Sequence, residues 1–137
     1  MGIEHYLARH SDKKIFELGK GFDIFAPVGG GPHSYPATRE ELARRLDYVT
    51  EYWQRDANMR AYLTKLGDAV WAFLQGGTGF ADFEVQGDGG DQPYEWIAQG
   101  YELVASRYHR DDPAEYAAYL RKHMDFMRKL AADYGDG

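Results

Sequence analysis

Two kinds of apolar spacing divide this chain. Between residues 3 and 18, Ile3, His5 and Leu7 alternate with Glu4 and Tyr6, and Ile15, Phe16 and Leu18 follow a polar Ser11-Asp12-Lys13-Lys14 segment. Period-two alternation broken by a polar turn predicts a β-hairpin. With Ser11-Asp12 as a two-residue loop, Leu7 faces Phe16 and His5 faces Leu18. Ser-Asp is not a strong primed-turn pair, so the turn alone pins the register weakly. Gly19 and Gly21 end the second strand, and Phe22-Asp23-Ile24-Phe25 is a short apolar piece that Pro27 stops. Three glycines and three prolines in residues 26–37 make that stretch a connector. Its Gly29-Gly30-Gly31 run has neither the spacing nor the lysine of a phosphate-binding loop.

From Thr38 the period becomes helical. Thr38-Arg39-Glu40-Glu41 reads as a capping box, in which the hydroxyl accepts the Glu41 N–H and the Glu41 carboxylate reaches back. Leu42, Leu46, Val49 and Trp53 then share one helix face. Met59, Tyr62, Leu63, Leu66, Val70, Phe73 and Leu74 define a second face, displaced by roughly a quarter turn. The displacement predicts two helices, near 39–55 and 58–75, rather than one. Gly76-Gly77-Thr78-Gly79 ends the second. Residues 81–86 alternate strictly, with Phe83 and Val85 on one side and Asp82, Glu84 and Gln86 on the other, which is an edge-strand pattern with one wet, acidic face. Pro93 suits the first turn of a third helix, with Asp91 or Gln92 as its cap. Ile97, Tyr101, Val104 and Tyr108 form its expected buried face. In the fourth helix Asp112 caps, Pro113 opens and Glu115 completes the box, and Tyr116, Leu120, His123, Met127, Leu130 and Tyr134 keep helical spacing.

The expected fold class is therefore α+β. A small antiparallel N-terminal sheet, the hairpin with a third strand near 81–86, packs on about four α-helices. Residues 1–137 form one domain: a hairpin region (3–25), two helices (38–75), an acidic, glycine-rich strand and loop (76–92), and two further helices (93–134). The expected core draws on Leu42, Leu46, Val49, Trp53, Leu63, Leu66, Val70, Leu74, Ile97, Val104, Leu120 and Met127.

Composition adds one strong asymmetry. The net charge is −6, and the excess lies in residues 76–112, where eight acids face only Arg107 and Arg110. The longer stretch 66–106 contains no lysine or arginine and seven acids, Asp68, Asp82, Glu84, Asp88, Asp91, Glu95 and Glu102. Direct nucleic-acid binding by this face is not expected, because phosphate recognition needs a basic stripe. The chain has no cysteine, which excludes disulfides, thiolate metal sites and a thiol nucleophile. A basic region followed by an apolar one is absent at the N-terminus, and no apolar run approaches the roughly 20 residues of a membrane span. The expected location is the cytoplasm, without membrane association. With eleven tyrosines, some must lie at the surface.

Catalytic patterns are absent. Ser11, Ser34, Thr78 and Ser106 lie in no nucleophile elbow. His5, His10, His33, His109 and His123 form no HExxH or HxH motif, and His123, on the inner stripe of the last helix, is expected as a satisfied core or boundary histidine. A zinc or iron site through His109, His123 and a carboxylate is chemically reasonable but selected by no spacing. The acids do not fit a calcium loop either: counted from Asp82 the twelfth position is Pro93, and from Asp88 it is Gln99. No metal and no cofactor is expected.

What remains is a recognition surface. Asp82, Glu84, Asp88, Asp91 and Glu95 are interleaved with Phe80, Phe83, Tyr94 and Trp96. Carboxylates steer a basic partner and set specificity, and aromatics supply the binding energy. The sites expected to touch the partner are Phe80, Asp82, Glu84, Asp88, Asp91, Tyr94 and Glu95. The expected function is that of a small, acidic, non-enzymatic binding protein that occludes a basic surface of a protein or nucleoprotein. An inhibitor or immunity-type protein fits this description, as does a phage-encoded antagonist of a nucleic-acid-binding complex. Two alternatives stand beside it: a metal- or small-ligand-binding domain, including an enzyme, that uses histidines and loop carboxylates, and a structural subunit of a larger assembly joined through exposed tyrosines.

Overall fold

The computed structural model of the chain describes residues 4–20, 24–25, 33–50, 57–87, 92–105 and 112–134. The elements in order are β1 (Glu4–Arg9), β2 (Lys14–Lys20), α1 (Arg39–Thr50), α2 (Ala57–Gln75), a 3-10 turn (Phe80–Asp82), β3 (Phe83–Gly87), α3 (Gln92–Ala98), β4 (Glu102–Ala105) and α4 (Pro113–Tyr134). The fold is α+β. The strands form one mixed sheet in the order β3-β1-β2-β4.

The hairpin forms as its alternation predicts, with Leu7 opposite Phe16. His5, however, pairs with Gly19 rather than Leu18, because a bulge shifts the register between His5 and Tyr6. Gly19 takes up the bulge at a φ of 114°, a conformation that costs a residue without a Cβ little. The third strand, β3, joins the free side of β1 in antiparallel register, with Val85 opposite Leu7.

Side-chain alternation gives the sheet two buried faces. Leu7, Phe16, Leu18, Phe83 and Val85 meet Leu42, Leu46, Leu66, Val70, Phe73 and Leu74 of α1 and α2. Tyr6, Ala8, Ile15 and Leu103 meet Trp96 and Ile97 of α3 and Met124 and Met127 of α4. The result is a helix–sheet–helix sandwich. Of the expected core, Leu63, Val104 and Leu120 are only partly buried, and the side chains of Val49 and Trp53 lie outside the described residues. The buried stripe of α4 runs through Met124, Met127 and Ala131, slightly rotated from the one its spacing suggests. That rotation leaves His123 at the boundary.

The caps form nearly as their motifs require. Thr38 Oγ1 accepts the Glu41 N–H at 3.1 Å, and Glu41 reaches back to the Ala37 N–H at 3.1 Å, one residue before the cap. Asp112 Oδ1 accepts the N–H groups of Ala114 and Glu115.

The expectation of a long third helix through Tyr108 is corrected. α3 stops at Ala98, and residues 102–105 form β4, parallel to β2. A Schellman turn ends the helix: Tyr101 N–H bonds to Trp96 O at 2.9 Å and Gly100 N–H to Ile97 O at 3.1 Å, with Gly100 at a φ of 95°. The hydrophobic contact that accompanies such a turn is the stacking of Tyr101 on Trp96, 6.2 Å between centroids. The spacing 97, 101, 104 imitated a helix, yet Tyr101, Leu103 and Val104 are apolar for other reasons. On the free side of β4, Leu103 N–H donates to Met124 Sδ at 3.2 Å, which satisfies an edge donor that would otherwise be left open.

Among the described residues no helix is long and apolar enough to cross a membrane.

Candidate functional site: the hairpin turn and the Phe80 cleft

The polar turn between β1 and β2 is where the acidic stretch folds back on the rest of the chain. Arg9 forms a paired hydrogen bond with Asp12, Nε to Oδ1 at 2.8 Å and Nη2 to Oδ2 at 2.7 Å. Its Nη1 donates to Phe73 O at 2.7 Å, so the guanidinium also caps the C-terminal end of α2, and it lies 4.4 Å over the Phe73 ring. The Asp12 partnership raises the Arg9 pKa, and Arg9 in turn lowers that of Asp12.

Ser11 binds Asp82 twice, through its N–H to Oδ1 at 2.7 Å and through its hydroxyl to Oδ2 at 2.6 Å. Thr78 N–H adds a third bond to Oδ2 at 3.0 Å. Burial pushes the Asp82 pKa up, but the Ser11 hydroxyl and the two N–H groups outweigh it, and the net shift is downward. Asp82, expected on the wet face of a strand, is therefore corrected to a buried residue, 7% exposed. It stands in the 3-10 turn before β3 and ties the hairpin to the loop after α2. A polar residue is stable there because each of its oxygens meets a donor.

His10 sits between Tyr101 and Glu84. Its Nδ1 is 2.8 Å from Tyr101 Oη and its Nε2 is 3.0 Å from Glu84 Oε1, while Gln86 donates to Glu84 Oε2 at 2.8 Å. An ionised Glu84 only accepts, so Nε2 carries a hydrogen. In the neutral ring Nδ1 then accepts the Tyr101 hydroxyl hydrogen; in the cation it donates to the Tyr101 oxygen. The ring also meets Trp96 and Tyr101 edge-on.

These contacts change the electrostatic picture. Segregation of charge along the chain is not segregation in space. Arg39 reaches Asp68 at 2.8 Å, Lys14 reaches Glu102 at 2.8 Å, and His10 faces Glu84. Asp82 is satisfied by neutral donors. Glu95 is exposed and has no counter-ion among the described residues. Asp88 and Asp91 lie outside the described residues.

The aromatics separate in the same way. Phe83 and Trp96 are core residues, and Tyr94 is half-buried against the α3–α4 core. Phe80 alone of the four stands out, 57% exposed. It borders a half-open cleft of about 340 Å³ between the end of α2, the Gly77-Thr78-Gly79 loop and Pro36, with Phe83 also in its wall. Tyr35 backs the cleft, its ring 6.2 Å from Phe80, 5.5 Å from Phe83 and 5.1 Å from Phe25.

His123 lies on the opposite side of the sheet, as a boundary residue. Its Nε2 is 3.1 Å from Glu17 Oε2, off the line of a good hydrogen bond, and Tyr119 stacks on its ring. His109 is outside the described residues. Among the described residues, no three of the His, Asp and Glu side chains are grouped so as to hold a metal ion.

Sequence reasoning missed His10, Ser11, Thr78 and Tyr101. The available signal was the density of polar groups in His10-Ser11-Asp12-Lys13-Lys14, more than a hairpin turn needs. Comparison of the chain with protein-family models, with curated proteins and with solved structures finds no match.

Proposed function

We propose that this is a small, acidic, non-enzymatic binding protein of the cytoplasm that covers a basic surface on a protein or nucleoprotein. The observation that carries the reading is Phe80, a large apolar side chain 57% exposed beside a half-open cleft, while Phe83, three residues on, is core. An exposed aromatic next to a cavity is the usual form of a binding hot spot. Glu84 and Glu95, with Asp88 and Asp91, supply the negative field that steers a basic partner. Tyr94 contributes from its half-buried position at most the edge of its ring. Asp82 holds the loop beneath Phe80 in place instead of touching the partner. Occlusion of a nucleic-acid-binding site, as by an inhibitor or a phage-encoded antagonist, is the biological form this reading takes.

The test is affinity capture from a lysate of the native host, comparing wild type with a Phe80→Ala/Glu95→Lys variant, both confirmed as folded by circular dichroism. Asp82 is left untouched, because a lysine there would break the hairpin anchor. A basic protein retained by wild type, released by added salt and lost by the variant is the expected result. Identical captures by the two proteins would reject the reading.

One observation favours a second reading, a metal- or small-ligand-binding site. His10 is held on both ring nitrogens between Tyr101 and Glu84, partly open to solvent. Titration with zinc while the His10 ring resonances are followed by NMR separates the two. Broadening or shift at His10 at stoichiometric metal supports a ligand site, and an unchanged ring removes it.

A further inference from the structure

The fold closes one edge of the sheet and leaves the other bare. The order β3-β1-β2-β4 puts β4 at one end and β3 at the other. On the β4 edge, Met124 Sδ of α4 accepts the Leu103 N–H. The β3 edge has no such cover. Among the described residues, no main-chain hydrogen bond reaches Phe83–Gly87 from the side away from β1. Nor does the strand carry the usual protection of an edge: it has no proline, no lysine and no bulge against β1.

One bond fixes which groups of β3 point outward. In the β1–β3 register His5 lies opposite Gly87 and Arg9 opposite Phe83, so His10 comes opposite Asp82. His10 N–H donates to Asp82 O at 2.9 Å, which makes that pair a hydrogen-bonded one. Antiparallel pairs alternate between hydrogen-bonded and non-hydrogen-bonded. Glu84 and Gln86 therefore turn their N–H and C=O groups toward β1. Phe83, Val85 and Gly87 turn theirs away from it, to the free edge.

We infer that β3 pairs antiparallel with β3 of a second copy of this chain, across a twofold axis at Val85. The strand is complementary to itself in that register. Val85 exchanges both main-chain bonds with the partner subunit's Val85, and Phe83 does the same with the partner subunit's Gly87, so every outward group of the strand is satisfied. The side chains agree. On the α1–α2 face two β-branched residues meet at the axis, and the partner subunit's Gly87 sets no side chain beside the Phe83 ring. On the other face Glu84 lies directly opposite the partner subunit's Gln86, an amide that can donate to it as Gln86 does within the chain at 2.8 Å. Moving the axis to Glu84 would set like charges against each other and leave Gly87 unpaired. The contact is isologous and closes at two chains. Pairing at this edge is separate from the partner proposed for Phe80, and either can fail without the other.

Sedimentation velocity over a wide concentration range tests this. Wild type is expected to rise from monomer to dimer and to stop there. Gly87→Pro removes an outward N–H that β1 does not use, at a position where an edge strand tolerates proline, and should weaken the dimer about tenfold or more. Gln86→Glu, at a half-buried position, sets two carboxylates against each other on both sides of the axis and should also weaken it. Gln86→Lys should tighten it, with the gain lost in added salt. The chain has no cysteine, so the register can be read by oxidation. A mixture of the Glu84→Cys and Gln86→Cys proteins should form disulfide-linked dimers faster than either protein alone, because those two positions are the ones directly opposed. A wild type that stays monomeric, one that grows past two chains, a dimer unmoved by both Gly87→Pro and Gln86→Glu, or equal rates of cross-linking in the mixture and the single proteins overturns the inference.

Discussion

Phe80 and Asp82 stand two residues apart in one 3-10 turn, and their burial is the reverse of their polarity. The phenyl ring is 57% exposed and the carboxylate 7% exposed. Asp82 is inside because Ser11 brings an N–H and a hydroxyl to it and Thr78 brings an N–H. A buried carboxylate with all its donors in place is stable, and one deprived of them is not. Phe80 is outside because Tyr35 and Phe83 already fill the space behind it and leave a cleft rather than a socket. Position inside or outside is decided by the partners that converge on a residue. Where an apolar group has none within the molecule, the natural expectation is a partner outside it.

The comparison can be broken first at Asp82. Asp82→Ala leaves two backbone N–H groups and a hydroxyl without their acceptor and should cost about 3 kcal/mol of stability, read from urea unfolding. A loss below about 0.5 kcal/mol would mean that the carboxylate is not the anchor its geometry makes it.

Acid should reproduce part of that effect. The folded pKa of Asp82 is depressed, so the stability it contributes is complete above the unfolded aspartate value of about 3.9 and is lost as the pH falls through the folded value. Asp12, lowered chiefly by its hydrogen bond to Arg9, acts in the same direction but from an exposed position. Unfolding midpoints measured from neutral pH downward should fall more gently for Asp82→Asn than for wild type. Parallel curves would assign the acid sensitivity to other carboxylates.

A smaller effect is expected at Gly100, whose positive φ turns the chain from α3 into β4 and delivers Tyr101 to His10. Gly100→Ala should cost about 1 kcal/mol, and near-ultraviolet circular dichroism should report the disturbance of the Trp96–Tyr101 stack.

The smallest expected change in stability is at Phe80 itself. Phe80→Ala should move the unfolding free energy by no more than about 0.5 kcal/mol, as at an ordinary surface position, while abolishing binding. A large loss of stability instead would make Phe80 part of the core and end its role as an anchor.

Several elements could be read directly from residue order. Alternation in 4–9 and 14–20 made the hairpin and put Leu7 against Phe16. Thr38 and Asp112 announced their helices, because a cap is a local bond between a side chain and an N–H two or three residues away. β4 could not be read in that way. Four residues are too few to show a period, and Glu102–Ala105 is a strand because β2 offers it a free edge and the Schellman turn at Gly100 aims it there. The same limit explains the site. The base-free run 66–106 is a real property of the sequence, yet Arg39, Lys14 and His10, distant in the chain, come to stand beside three of its acids.

The sequence by itself therefore determined the local conformations, the α+β class and the presence of an acidic segment with an unusual share of aromatics. These follow from propensity, spacing and composition, which act over a few residues. Only the tertiary structure decided that Asp82 is a buried anchor, that His10 stands between Tyr101 and Glu84, and that of Phe80, Phe83, Tyr94 and Trp96 only Phe80 faces outward. Those outcomes depend on which groups from β1, β2, α2 and β4 arrive at one place, and convergence of distant segments has no signature in the order of the residues that converge.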